Sequence, residues 1–255
     1  VNEYERNILL ANRPIVLDNG AFEKGTPDGI DDLLRKCHRL QPKYVFAPDN
    51  LFNATKTRAG YEAFKYIMTK TGKSYKIGVV VQADNEEEYL EEFKKYNKDP
   101  DVAVIGLSYL AISHSIKYKT KAKIPKGVIA KKKDSWSVFG DVDYTADRIE
   151  MLKKINNLKL DKIKPCHLLG LGKSYEDIIY AKENCPFCFC NDTSTCYVAA
   201  SHGLTLTDSL SIPSGKIKDK IKIDDQSSAL IRGIFCLNIN KVESVIYKST
   251  QQSLI

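Results

Sequence analysis

Short runs of β-branched and apolar residues alternate along most of the chain with longer stretches that carry apolar residues at three- and four-residue intervals. The short runs are Pro14–Asp18, Tyr44–Ala47, Ile77–Val81, Val102–Leu107, His167–Leu169 and Phe187–Asn191. They are predicted strands, apolar on both faces as in a parallel sheet covered on both sides. Helical periodicity marks Asp28–Leu40, Ala54–Thr71, Asn85–Asn97, Tyr144–Asn157 and Ser174–Glu183. Asp28 and Asn85 are predicted N-caps, and the acidic run Glu86–Glu88 suits the positive end of a helix dipole. Repeated strand–helix alternation predicts an α/β protein with a parallel sheet, either a (β/α)8 TIM-like barrel or an open doubly wound sheet. Ile8–Ala11 is one further candidate strand. Beyond Leu206 the pattern turns polar and Ser/Lys-rich before a predicted helix at Gln226–Asn238. The expected organisation is a catalytic barrel over residues 1–205, with an insert at about 110–140, and a C-terminal appendage over 206–255 packed on it.

Composition narrows this picture. The chain has 255 residues, 43% hydrophobic and 28% charged, which suits a globular protein long enough to bury a core. No apolar run approaches the roughly 20 residues that span a bilayer, and no secretory leader is recognisable, so no membrane partner is expected. The start on Val1 rather than Met points to upstream sequence having been removed. Seven cysteines, four of them between Cys185 and Cys196, make a poor disulfide framework and fit a reducing cytoplasm. No GxGxxG and no GxxxxGK[ST] occurs, which removes the usual dinucleotide and P-loop motifs.

Charge is unevenly spread. The net charge is +7, yet Lys117 to Lys133 contains eight lysines and no acidic residue. The remaining body is therefore close to neutral, with one basic insert. Tyr118, Trp136 and Phe139 lie in or beside it, so cations are interleaved with flat rings, as in surfaces that neutralise phosphates and stack on bases. A solvated loop is the plain alternative. The nucleic-acid contacts expected are Lys117, Lys119, Lys121, Lys123, Lys131, Lys132, Lys133 and Trp136.

In a parallel barrel, chemistry collects just beyond the C-terminal ends of the strands. Those positions read Asp18-Asn19-Gly20-Ala21-Phe22, Pro48-Asp49-Asn50, Val81-Gln82, Ile105-Gly106-Leu107-Ser108, Leu169-Gly170-Leu171-Gly172 and Cys190-Asn191-Asp192. Any one of these aspartates reads equally well as a helix cap or a turn residue. Three with a Gln at equivalent positions suit double displacement at a sugar carbon, one carboxylate attacking while another manages the proton of a leaving base. His167 reads as core, and His38, His114 and His202 show no catalytic spacing. Gly170-Leu171-Gly172-Lys173-Ser174 also suits a phosphate loop, the mark of a rival barrel enzyme acting on a small phosphorylated metabolite.

These rim segments resemble, in order and rough spacing over about residues 14 to 200, those of the tRNA-guanine transglycosylase superfamily. Asp18-Asn19-Gly20-Ala21-Phe22 resembles the family's Asp-Ser-Gly-Gly-Phe, and Val81-Gln82 its Val-Gln. Ile105-Gly106-Leu107 resembles Gly-Gly-Leu, and His167 to Gly172 resembles Tyr-Leu-Met-Gly-Val-Gly. The resemblance implies a (β/α)8 barrel that exchanges guanine for a 7-deazaguanine through a covalent glycosyl-enzyme. It implies Asp192 as nucleophile, Asp18 as general acid and base, and Asp49, Gln82, Gly106, Leu107 and Gly170 as base contacts.

Several departures bear on the substrate. Ser108-Tyr109-Leu110 stands where many tRNA enzymes have Gly-Glu. In family terms the six strands match the third to the eighth, Ile8–Ala11 is a candidate second, and the first is missing. The family's late zinc motif, Cys-x-Cys-x-x-Cys with a distant His, is not reproduced. Cys185, Cys188, Cys190 and Cys196 have zinc-ligand chemistry, but strand alternation favours core thiols and no cofactor. These losses resemble the phage and bacterial members that act on DNA. The expected partners are DNA, alternatively tRNA, and a base such as 7-cyano- or 7-aminomethyl-7-deazaguanine. A non-catalytic nucleic-acid-binding homologue or partner subunit is the other reading.

Overall fold

The computed structural model describes residues 15–21, 26–72, 75–117, 129–132, 135–138, 144–170 and 175–191. Toward the C-terminus it also describes 204–205, 234, 236–238, 240–242 and 244, and it gives 117, 129–132, 135–138 and 190–191 by backbone only. Within these residues the strands are β1 Val16–Leu17, β2 Tyr44–Phe46, β3 Lys76–Val80, β4 Val102–Ser108, β5 Ile129–Lys132, β6 Ser135–Val138, β7 Cys166–Leu169 and β8 Cys188–Asn191. The helices are α1 Ile30–Leu40, α2 Ala54–Lys70, α3 Glu86–Lys98, α4 Tyr109–Lys117, α5 Tyr144–Asn156 and α6 Glu176–Asn184.

Six strands form one sheet in the order β1-β2-β3-β4-β7-β8, every neighbouring pair parallel. Chain order and spatial order coincide, with no topological switch point, unlike an open doubly wound sheet. The sheet is strongly curled. Four inter-strand spacings separate β2 from β8, about 19 Å if the sheet were flat, yet the Tyr44 and Phe189 ring centroids are 5.6 Å apart. Phe46 of β2 and His167 of β7 likewise approach to 5.7 Å. The result is a parallel half-barrel; closure into eight strands is not seen among the described residues.

Two-residue alternation sorts the strand side chains between the two faces. Val45, Ile77, Val79, Ile105, Leu107, Cys166 and Leu168 join the large core under the helices. Phe46, Val80 and Val104, with Val16, Tyr44 and Leu169 beside them, fill the concave side. Each fully buried large side chain contributes about 1.5–3 kcal/mol, so the helix-side layer dominates the stability of the fold. Val242 from the C-terminal region joins this core, and Asn238 Nδ2 donates to the Leu204 carbonyl at 3.2 Å.

Asn85 caps α3, its side chain accepting the Glu88 N–H at 3.0 Å. Asp28 does not cap α1: Gly29 occupies that position, and the Asp28 carboxylate pairs with Lys36 instead. Helix α4 was not among the expected helices. It starts directly at the end of β4, and Leu110 to Ile116 are all buried, so it shows no polar face to mark its period. The C-terminal helical residues run to 244, past the expected end at Asn238. Ile8–Ala11 lies outside the described residues.

Candidate active site at the sheet rim

Two polar clusters stand at the C-terminal ends of the strands. The first joins β1, β2 and β3. Asn19 Nδ2 donates to Asp49 Oδ1 at 2.7 Å and to the Ala47 carbonyl at 2.9 Å. Gln82 Nε2 donates to Asp49 Oδ2 at 2.5 Å. Backbone amides dictate which way both side-chain amides face. Asn19 Oδ1 accepts the Ala21 N–H at 3.0 Å and Gln82 Oε1 accepts the Phe52 N–H at 2.9 Å, so each NH2 is left for Asp49.

Asp49 is therefore a buried carboxylate, 4% exposed, with a donor on each oxygen. No described Lys, Arg or His forms an ion pair with it. Burial raises its pKa above the ordinary 3.8, while the two amide hydrogen bonds oppose that rise. Phe52, next to the Gln82 anchor, adopts a left-handed backbone at φ 59°, rare for a bulky residue. Its ring stacks on His114 of α4 at 4.1 Å, and burial lowers the His114 pKa below 6.5.

The second cluster surrounds the end of β7. Arg148 of α5 is fully buried and its Nη2 donates to the carbonyls of Leu169 and Gly170 at 2.8 and 2.9 Å. Its Nη1 lies 3.1 Å from Oδ2 of Asp177 on α6, also fully buried. Burial raises the Asp177 pKa, and the neighbouring Arg148 charge draws it back down. Gly170 has φ 68°, and a Cβ there would fall 2.3 Å from the Tyr109 ring.

The remaining expected site residues are placed unevenly. Asp18 is exposed, its carboxylate accepting the Gly20 N–H at 3.2 Å, so Asn19 is the residue of that segment that meets Asp49. Leu107 turns its side chain into the helix-side core, leaving only its backbone for a base. A Cβ on Gly106 would meet Leu169 at 2.7 Å and Phe46 at 2.9 Å, so the flat ring beside this glycine is that of Phe46. β8 ends at Asn191, and Asp192 lies outside the described residues, as do Lys119, Lys121, Lys123, Lys133 and Cys196. β5 and β6 pair antiparallel with Lys131 opposite Trp136 and Lys132 opposite Ser135, and Lys117 is the last residue of α4. Residues directly opposite lie on the same face of a ladder, and Lys131 and Trp136 are such register partners.

Cys166, Cys185 and Cys188 are free thiols, the first two buried. Among the described residues no group of three or more His, Cys, Asp or Glu could hold a metal ion; of the four candidate zinc ligands, Cys190 is given by backbone only and Cys196 lies outside the described residues. No described helix is long and apolar enough to cross a membrane.

Asn19, Arg148 and Asp177 were missed as contributors to the rim. A signal for Arg148 was present: it stands at helical spacing from the apolar Met151, Leu152 and Ile155, on a face where a charge is out of place. No family model and no curated protein matches this chain.

Proposed function

We propose that this protein is a base-exchange transglycosylase that replaces guanine in nucleic acid, DNA in the first instance, with a 7-deazaguanine. The observation that carries the reading is Asp49. Its two amide donors leave lone pairs unused, and no described cation balances its charge. A flat heterocycle presenting adjacent ring N–H and exocyclic NH2 groups, as guanine and 7-deazaguanine do, supplies both the donors and the fit. Such bonds to a buried carboxylate are stronger than neutral ones.

In this reading the barrel is completed beyond the described half. Asp192 attacks C1′ as the bond from C1′ to the guanine N9 breaks, and Asp18 protonates the departing base. The same Asp18 then takes the N9 proton of the 7-deazaguanine, whose nitrogen displaces Asp192 from C1′. Two inversions restore the original configuration. A guanine in duplex DNA must first leave the stack, and the β5–β6 hairpin, with a lysine and a tryptophan on one face, suits the grip on the displaced strand.

A second reading, a nucleic-acid-binding homologue without exchange activity, is favoured by the Phe46 and Tyr109 rings that occupy the space beside Gly106 and Gly170. Incubating the full chain with labelled 7-cyano- or 7-aminomethyl-7-deazaguanine and matched DNA and tRNA, then analysing nucleosides, separates the outcomes. Label in DNA is expected. Label in tRNA alone reassigns the substrate, and nucleic-acid binding without label selects the second reading.

A further inference from the structure

We propose that Arg148 is a positioning residue for the rim turn after β7. It holds the Leu169 and Gly170 carbonyls from behind, with Asp177 as its counter-ion, so that the turn is formed before a ligand arrives.

Its placement is unusual for a purely cohesive role. An apolar side chain in the α5 stripe would join the core without the desolvation cost of a buried charge pair. Arg148 instead directs one nitrogen to two successive backbone carbonyls, at 2.8 and 2.9 Å, where the β4–β7 ladder ends at the Ser108–Leu169 pair. Ordering the turn is costly, since Gly170, left-handed and directly under the Tyr109 ring, has more backbone freedom to lose than any other residue type. The guanidinium carbon lies 5.6 Å from the centre of that same ring, and Tyr144 meets Tyr109 edge-on at 5.0 Å. Three helices thus deliver side chains to one backbone turn: Tyr109 from α4, Arg148 and Tyr144 from α5, and Asp177 from α6.

Pre-formation matters for a ligand because a rim segment ordered in advance need not lose its freedom on binding. That consequence for base binding rests on the transglycosylase reading; the holding of the turn does not.

The test uses the full chain carrying Arg148→Met together with Asp177→Leu, which removes both charges and leaves an apolar contact between α5 and α6. Amide hydrogen exchange over residues 166–170, with β3 as internal reference, is measured beside the binding of 7-cyano-7-deazaguanine. The expected result is an unchanged or higher thermal midpoint, exchange at the turn at least about tenfold faster, and base binding at least about tenfold weaker. Arg148→Lys, which keeps a cation near the carbonyls, should recover part of both. Unaltered exchange at the turn in the folded double variant overturns the proposal. Should that variant not fold, the neutral, near-isosteric pair Arg148→Gln with Asp177→Asn carries the same readout, faster exchange supporting the role and unchanged exchange ending it. Faster exchange with no base binding by the wild type leaves the positioning role standing and removes the transglycosylase reading.

Discussion

At the β2–β3 end of the rim a buried anion is met by two neutral amides, whereas at the β7 end a buried cation is met by two carbonyls and an anion. Asp49 with Asn19 and Gln82 is an unbalanced cluster, and Arg148 with Asp177 a balanced one. Both are held by backbone groups, so both are rigid. The difference lies in what each still lacks. Arg148 has found carbonyls and a counter-charge within the protein, although Asp177 Oδ2 accepts no hydrogen bond, while Asp49 has a donor on each oxygen and no described counter-charge. The two clusters therefore differ in charge compensation rather than in how firmly they are held, and on the proposed reading that difference separates a binding group from a supporting one.

Stability should expose the contrast most strongly. Arg148→Met strands Asp177 as a buried carboxylate without its cation, and a loss of about 3–5 kcal/mol is expected in denaturant unfolding. Asp49→Asn removes a charge that has no ionic partner, so its cost should be nearer that of one hydrogen bond, about 0.5–1.5 kcal/mol. Equal losses in the two variants would erase the distinction.

Ligand binding should show the reverse order. Asp49→Asn is expected to weaken 7-deazaguanine binding by at least about a hundredfold, or about 2.7 kcal/mol, measured by calorimetry on the folded variant. The acid limb of the same binding curve sharpens the assignment. Because burial raises the Asp49 pKa, binding should fall as pH drops through a midpoint above 3.8. Its contribution to folding runs the other way, fully present below 3.8 and lost as pH rises through the folded value. A binding midpoint at or below 3.8 would remove Asp49 as the acceptor.

Asn19→Ala tests whether the unbalanced cluster depends on its amides. It leaves the Ala21 N–H and one Asp49 oxygen without their partner, a cost of about 1–3 kcal/mol by thermal unfolding, and base binding should weaken with it. The smallest effect is expected at His114. Its lowered pKa means that it enters the fold neutral, so its contribution is present above pH 6.5 and lost as pH falls through the folded value. His114→Phe, which keeps the stack on Phe52, should narrow the difference in thermal midpoint between pH 7.5 and 5.5.

Much of this architecture was legible in the residue pattern. Among the described residues, all six strands of the sheet and five of the helices α1–α6 lie within two residues of their expected bounds, because one-sided or two-sided burial writes a period into the sequence. Asp49 and Gln82 were legible too, as polar residues directly after apolar strands. Helix α4 was not, since burial on every side removes the contrast on which periodicity depends. The hairpin β5–β6 was hidden because β5 lies at the end of the lysine run, whose composition signals solvent rather than pairing, and β6 directly follows that run.

The order of the six sheet strands and of the helices α1, α2, α3, α5 and α6, the parallel sheet, the rim positions and the basic insert follow from the chain alone, because each is a local property of spacing and charge. Only the tertiary structure decided which rim residues meet. Asp18 and Asn19 are adjacent in sequence, yet the pairing of β1 with β2 brings Asn19 onto Asp49 and leaves Asp18 at the surface. Arg148 and Asp177 are 29 residues apart on two helices, and their pairing exists because α5 and α6 pack side by side over the end of β7. Long-range partners of this kind are chosen by packing geometry, which no local pattern encodes.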